Sequence, residues 1–131
     1  MKDLNILKNK VLIWAKKKGI LDNATPKDQF PKTIEEVGEI AAGICRNDRS
    51  KIQDSIGDAA ATLIILAELY SMDFAECLDV AYNEISGRKG EMKDGVFVKE
   101  EDDSFSQGLI ANHELAKKND TEERKKQQLE K

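Results

Sequence analysis

From Ala59 to Tyr70 the chain reads AAATLIILAELY, with two hydroxyls and one acid among twelve residues. This run is too short to cross a bilayer, which takes roughly 20 apolar residues. As a helix it is apolar nearly all round, and such a helix has to be buried on most of its sides. The rest of the chain must therefore supply its cover. With 131 residues, the chain has the size of one ordinary domain with a single core.

The surrounding periodicity is helical. Leu4, Leu7, Val11, Trp14 and Ala15 recur at helical spacing, and Gly19 follows as a stop. Trp14 is expected in the core. LDNATPKDQFP reads as a polar loop that ends on Pro31, a residue suited to a helix's first turn. A second helix then carries Ile34, Val37, Ile40, Ala41 and Ile44 on one stripe, and RNDRS ends it. The third helix runs from about Lys51 to Tyr70 and contains the apolar run. Asp73 and Glu76 form a capping-box pattern before a fourth, FAECLDVAYNEISG. GVFV at 95–98 reads as a short extended piece. Cys45 and Cys77 lie on apolar faces without CxxC spacing, so both are expected in the core. The prediction is an all-α four-helix bundle over 1–99. A charged tail over 100–131 is thin in apolar residues, and forms a solvated helix or frays. The third helix has more apolar circumference than one short chain covers, so a homo-oligomer, dimer or tetramer, is expected.

Acids stand where this core begins. Residues advance about 100° each around a helix, which gathers Glu35, Glu36 and Glu39 on the side roughly opposite the apolar stripe. A solvated face, helped by the helix dipole, accounts for such acids on their own. Gly38 and Gly43 stand beside them, and glycine costs a helix interior about 1 kcal/mol against alanine; small residues there admit a close neighbour. Asp54 and Asp58 share a face that continues through Ala61 and Ile65 into the core. An unpaired buried carboxylate is costly, so these two acids require partners. Arg46, Arg49 or Lys51 are the basic choice. A divalent cation also explains why acids on successive helices gather, because Mg²⁺ is held by few carboxylates together with substrate phosphates.

Other chemistries are excluded. A di-iron bundle needs Glu-x-x-His pairs, and the single histidine, His113, lies in the tail. There is no EF-hand loop or P-loop. The net charge of −4 argues against a nucleic-acid groove. The periodic, lysine-rich start does not resemble a signal peptide, so a cytoplasmic, membrane-free protein is expected.

Three pieces in order, KTIEEVGEI, DSIGDAAATLIILAE and AYNEISGRKG, resemble the MazG-like nucleotide pyrophosphohydrolases of the all-α NTP pyrophosphatase superfamily. The resemblance spans roughly residues 10–98. It implies Mg²⁺, with Mn²⁺ as a substitute, and cleavage of a nucleoside triphosphate to the monophosphate and pyrophosphate. It makes Glu36, Glu39 and Asp58 metal ligands, and Glu35 a further ligand or the water-activating base. It also gives Asn83, Arg88 and Lys89 contacts with the substrate. There are two departures from the family pattern. Ser55 stands where many relatives have an acid, and Asp54, one residue earlier, is the expected replacement. Ile85 stands where larger relatives often have a lysine, which passes phosphate contacts to Lys32 or Lys93. The competing reading is a helical module that binds nucleotides or a protein without turnover.

Overall fold

Capping chemistry sets the helix boundaries in the computed structural model, which describes residues 2–100. Helix α1 (Leu4–Lys17) starts on Asp3, whose carboxylate accepts from the backbone N–H groups of Asn5 and Ile6, and it stops before Gly19 at φ 76°. The expected polar loop holds a single helical turn, α2 (Ile20–Asn23), and then the start of α3 (Pro26–Cys45). Pro31 is therefore inside a helix and not in its first turn. Thr25 and Asp28 cap each other's backbone N–H groups reciprocally, with Pro26 at the first helical position, and this cap fixes the start earlier. The N–H that Pro31 lacks would have met the Lys27 carbonyl; both residues are exposed, so water can take the leftover acceptor.

Helix α4 (Arg49–Leu69) follows a three-residue connection, and α5 (Phe74–Ser86) begins on Asp73. One Asp73 oxygen accepts from the N–H groups of Ala75 and Glu76, while the other pairs with the buried Lys8 of α1. Asp73 thus caps α5 with one oxygen and anchors α1 with the other. The expected extended piece belongs to a hairpin, β1 (Gly90–Lys93) and β2 (Val96–Lys99), antiparallel with Lys93 opposite Val96. Its two-residue turn is Asp94-Gly95, both at positive φ, the combination a tight hairpin prefers. The chain divides between Asn83 and Glu84 into two units. The first is built on an α3–α4 hairpin with α1 and α2 against α4. The second holds the end of α5 and the β-hairpin. No helix among the described residues is long and apolar enough to cross a membrane. The tail over 101–131, with His113, lies outside the described residues.

Ile64, Ile65, Ala67, Ala59 and Ala15 form the core, as the apolar run of α4 requires. Helix α3 is the surprise. Its predicted core stripe faces outward, with Ile34, Val37 and Ile44 all more than half exposed. The residues buried on α3 are instead Gln29, Thr33 and Gly43. The helix packs its polar edge on α4, so the acid-bearing side comes towards the core. Trp14 is half exposed, and Leu4, Leu7, Cys45 and Cys77 are also exposed and not core.

Gly43 explains how the hairpin closes. A Cβ there would lie 3.0 Å from Ile52 Cγ1 and 3.2 Å from the Ile52 backbone nitrogen, whereas at Gly38 it would meet nothing within 4 Å. The two glycines should respond oppositely to alanine. Gly38→Ala is expected to stabilise by roughly 0.5–1 kcal/mol through helix propensity alone. Gly43→Ala is expected to cost about 1 kcal/mol net, since overpacking outweighs the same gain. Paired urea melts check the signs.

Candidate functional site

The inverted packing of α3 determines the site. Antiparallel α3 and α4 keep a steady register: Gly43 lies against Ile52, and seven residues earlier on α3 Glu36 reaches the level of Asp58. Both carboxylates line one cavity of about 560 Å³. Lys32 lines it too, as does Lys10, which α1 contributes and which the sequence reading did not single out. Two turns further along, Gln29 and Ile65 line the same cavity together with Trp14.

Glu36 registers the crowding of charge. Its carboxyl is held above the ordinary carboxylate range by partial burial first, and then by the negative charges of Asp58, Glu39 and Glu35. Glu39 is paired with Lys51 across the hairpin, and Glu35 with Lys32 at 2.5 Å. Each carboxylate raises the pKa of its lysine, chiefly through the hydrogen bond. Lys51, one of the expected partners for the aspartates, thus serves Glu39 instead. Asp54 is exposed and does not line the cavity. Ser55, three residues before Asp58, is fully buried, and its hydroxyl has no hydrogen-bond partner among the described residues.

Among the described residues no three acid, histidine or cysteine side chains converge tightly enough to enclose an ion. The donor chemistry nevertheless fits Mg²⁺. That ion commonly takes one or two carboxylates and completes its shell with water and phosphate oxygens. Glu36 and Asp58 supply two carboxylates without an ion-pair partner among the described residues. Glu35 and Glu39 are clipped back by lysines that a phosphate chain could draw away.

Asn83 ends the first unit, and its amide donates to Asp79 at 3.2 Å. Arg88 and Lys89 are in the second unit and line a cavity of about 410 Å³ with Gly87, Lys99 and Glu100. Arg88 is paired there with Glu84, whose carboxyl it holds below its ordinary value. The structure therefore brings Glu36, Asp58 and Lys32 into one cavity and Arg88 and Lys89 into another.

The charge on Glu36 gives a pH signature. A carboxyl raised by folding above its ordinary 4.5 contributes stability that is complete below that value and is lost as pH rises through the folded pKa. Metal-free wild type should therefore lose stability relative to Glu36→Gln as pH rises above 4.5. Saturating Mg²⁺ should reverse that trend, because the ion favours the charged form. Melts of both proteins across this range, with chelator or with Mg²⁺, read the sign.

Comparison with known proteins bears on this geometry. The pattern of the MazG nucleotide pyrophosphohydrolase domain matches residues 24–92, which include α3, α4, α5 and most of the first strand. An uncharacterised 18.2 kDa protein from the rep-hol intergenic region of Haemophilus phage HP1 is 37% identical over 73 residues. That match covers 56% of this chain and 45% of the phage protein, so the chain spans under half the length of this relative. No solved structure matches significantly.

Proposed function

We propose that this chain, which belongs to the MazG nucleotide pyrophosphohydrolase family, is a Mg²⁺-dependent enzyme that splits a nucleoside triphosphate into the monophosphate and pyrophosphate. The observation that carries the proposal is the cavity lined together by Glu36, crowded by three other acids, by Asp58, and by Lys10 and Lys32. Removal of surplus or non-standard nucleotides is the proposed use. A cytoplasmic setting, also proposed, suits two exposed free cysteines.

Glu36 and Asp58 would hold the ion, with Glu39 joining once Lys51 is drawn off; Mn²⁺ would serve in place of Mg²⁺. When bound, such an ion neutralises phosphate charge and lowers the pKa of its water. Lys32 has a second task. It is bound to Glu35 in the free protein, and a triphosphate offers it a stronger anionic partner. Its departure would leave a Glu35 oxygen available to take a proton from the attacking water. Lys10 and Lys32 would then offset charge as the bond to the leaving pyrophosphate breaks. Asn83, Arg88 and Lys89 remain proposed substrate contacts on the strength of the resemblance, and Asp54 a proposed fourth ligand.

We also propose a homo-oligomer formed by a second copy. Among the described residues, five apolar side chains are buried and twenty large ones are exposed, far more than an isolated small domain usually shows.

Incubation with Mg²⁺ and a panel of nucleoside triphosphates tests the activity. Pyrophosphate should appear from at least one of them. Orthophosphate alone, or no turnover across common and deaminated bases, would contradict the proposal. Binding without turnover would return the non-catalytic module.

A further inference from the structure

Each of the two carboxylates that line the cavity stands three residues after a hydroxyl on its own helix. Thr33 precedes Glu36 on α3, and Ser55 precedes Asp58 on α4. Both hydroxyls are buried where the two helices pack, with Thr33 6% exposed and Ser55 0%. Among the described residues these are the two buried side-chain atoms left without a hydrogen-bond partner. A helical hydroxyl usually turns to a carbonyl one turn back, and Thr62 does so, to Ala59 at 2.8 Å. A buried hydroxyl left unpaired is costly, and the fold gives neither of these two a bond of its own. Helical side chains lean towards the N-terminus, over the turn before them. Glu36 therefore leans over Thr33, and Asp58 over Ser55. At the N-cap of α3 the same spacing already joins a hydroxyl to a carboxylate, Thr25 to Asp28 at 2.6 Å.

We propose that Thr33 and Ser55 are positioning residues for the divalent ion: when Glu36 and Asp58 close on it, the Thr33 hydroxyl donates to the Glu36 carboxylate and the Ser55 hydroxyl to that of Asp58. The inference rests on the metal reading given above and extends it to residues that do not touch the ion. An ionised carboxylate only accepts hydrogen bonds, and a hydroxyl has one proton to give. An ion bound to one carboxylate oxygen leaves the other for such a donor, and carboxylates that hold metals are generally hydrogen-bonded from behind. In the metal-free chain the acids repel one another, and the hydroxyls stand idle. The ion removes that repulsion and lets both bonds form. Ser55 holds the position of an acid in many relatives, so this arrangement belongs to this chain and not to the family pattern.

The full chain is titrated with Mn²⁺ in the presence of a non-hydrolysable triphosphate, and free Mn²⁺ is read by electron paramagnetic resonance. Thr33→Val and Ser55→Ala each remove one hydroxyl with little change of shape. Each should weaken Mn²⁺ binding about tenfold, the low end of the loss expected for such supporting bonds. Thr33→Ser keeps a hydroxyl and should keep the wild-type affinity. Without metal, urea melts should find both hydroxyl-free variants at least as stable as the wild type, because no bond is lost. Ser55→Ala, the smaller change, decides the question if Thr33→Val does not fold. Unchanged Mn²⁺ affinity in the folded variants would overturn the proposal and leave the metal reading standing. Metal-free variants clearly less stable than the wild type would also overturn it, because the hydroxyls would then hold structural bonds. Equal loss of affinity in Thr33→Ser and Thr33→Val would trace the effect to packing and overturn it for Thr33. A wild type that takes up no Mn²⁺ would overturn the metal reading and this inference together.

Discussion

Asp58→Asn is expected to remove the stabilisation that Mg²⁺ gives the wild type and to lower pyrophosphate release about a hundredfold or more. It should leave the metal-free protein equally stable or more so. The reason is electrostatic. Asp58 is one of the charges that hold the Glu36 carboxyl above its ordinary range, and it has no salt bridge of its own among the described residues to lose. Asparagine keeps the shape and removes the repulsion. Had Asp58 been the partner of a buried base, losing its charge would instead cost about 3–5 kcal/mol. Melting curves of wild type and variant, with and without Mg²⁺, separate these outcomes. A wild type indifferent to Mg²⁺ beside a strongly destabilised variant would contradict the account.

Val37→Glu should convert an oligomer into a monomer that keeps its helical content. Ile34, Val37 and Ile44 make one apolar stripe along the outer side of α3, with Val37 51% exposed within the chain. A second copy that covers this stripe would be forced to bury an unpaired carboxylate in the variant, which costs several kcal/mol. Within one chain the same carboxylate is solvated. Light scattering at micromolar concentration should return at least twice the chain mass for the wild type and the single mass for Val37→Glu. A monomeric wild type would refute the oligomer.

Helix spacing was legible because capping residues and apolar periodicity act locally. Gly19 ended α1, and the apolar run of α4 did become the core. Pro31 does not start α3 because a reciprocal cap, Thr25 with Asp28, starts it earlier, and that pair is equally visible in the sequence. The Asp94-Gly95 turn was visible too, and would have turned a lone extended piece into a hairpin. The orientation of α3 was not legible. Periodicity reveals that a helix has an apolar face, but not whether its own chain or another covers it. Asp58 stood out because a carboxylate whose face leads into a core demands a partner, and Glu36 because the family resemblance makes it a ligand. Gln29 and Lys10 carried no such signal, since an amide or a lysine on a helix is ordinary until the fold lines a cavity with it. The spacing of Gln29, two turns before Glu36, is the clue that could have found it.

Direct measurement of bound Mn²⁺ by electron paramagnetic resonance tests the central claim, that Glu36 and Asp58 together hold a divalent ion. Wild type should remove free Mn²⁺ from solution, and more tightly when a non-hydrolysable triphosphate is present. Glu36→Gln and Asp58→Asn should each lose that binding while remaining folded. Mn²⁺ binding that survives both substitutions, or that is absent from the wild type with the triphosphate present, would contradict it.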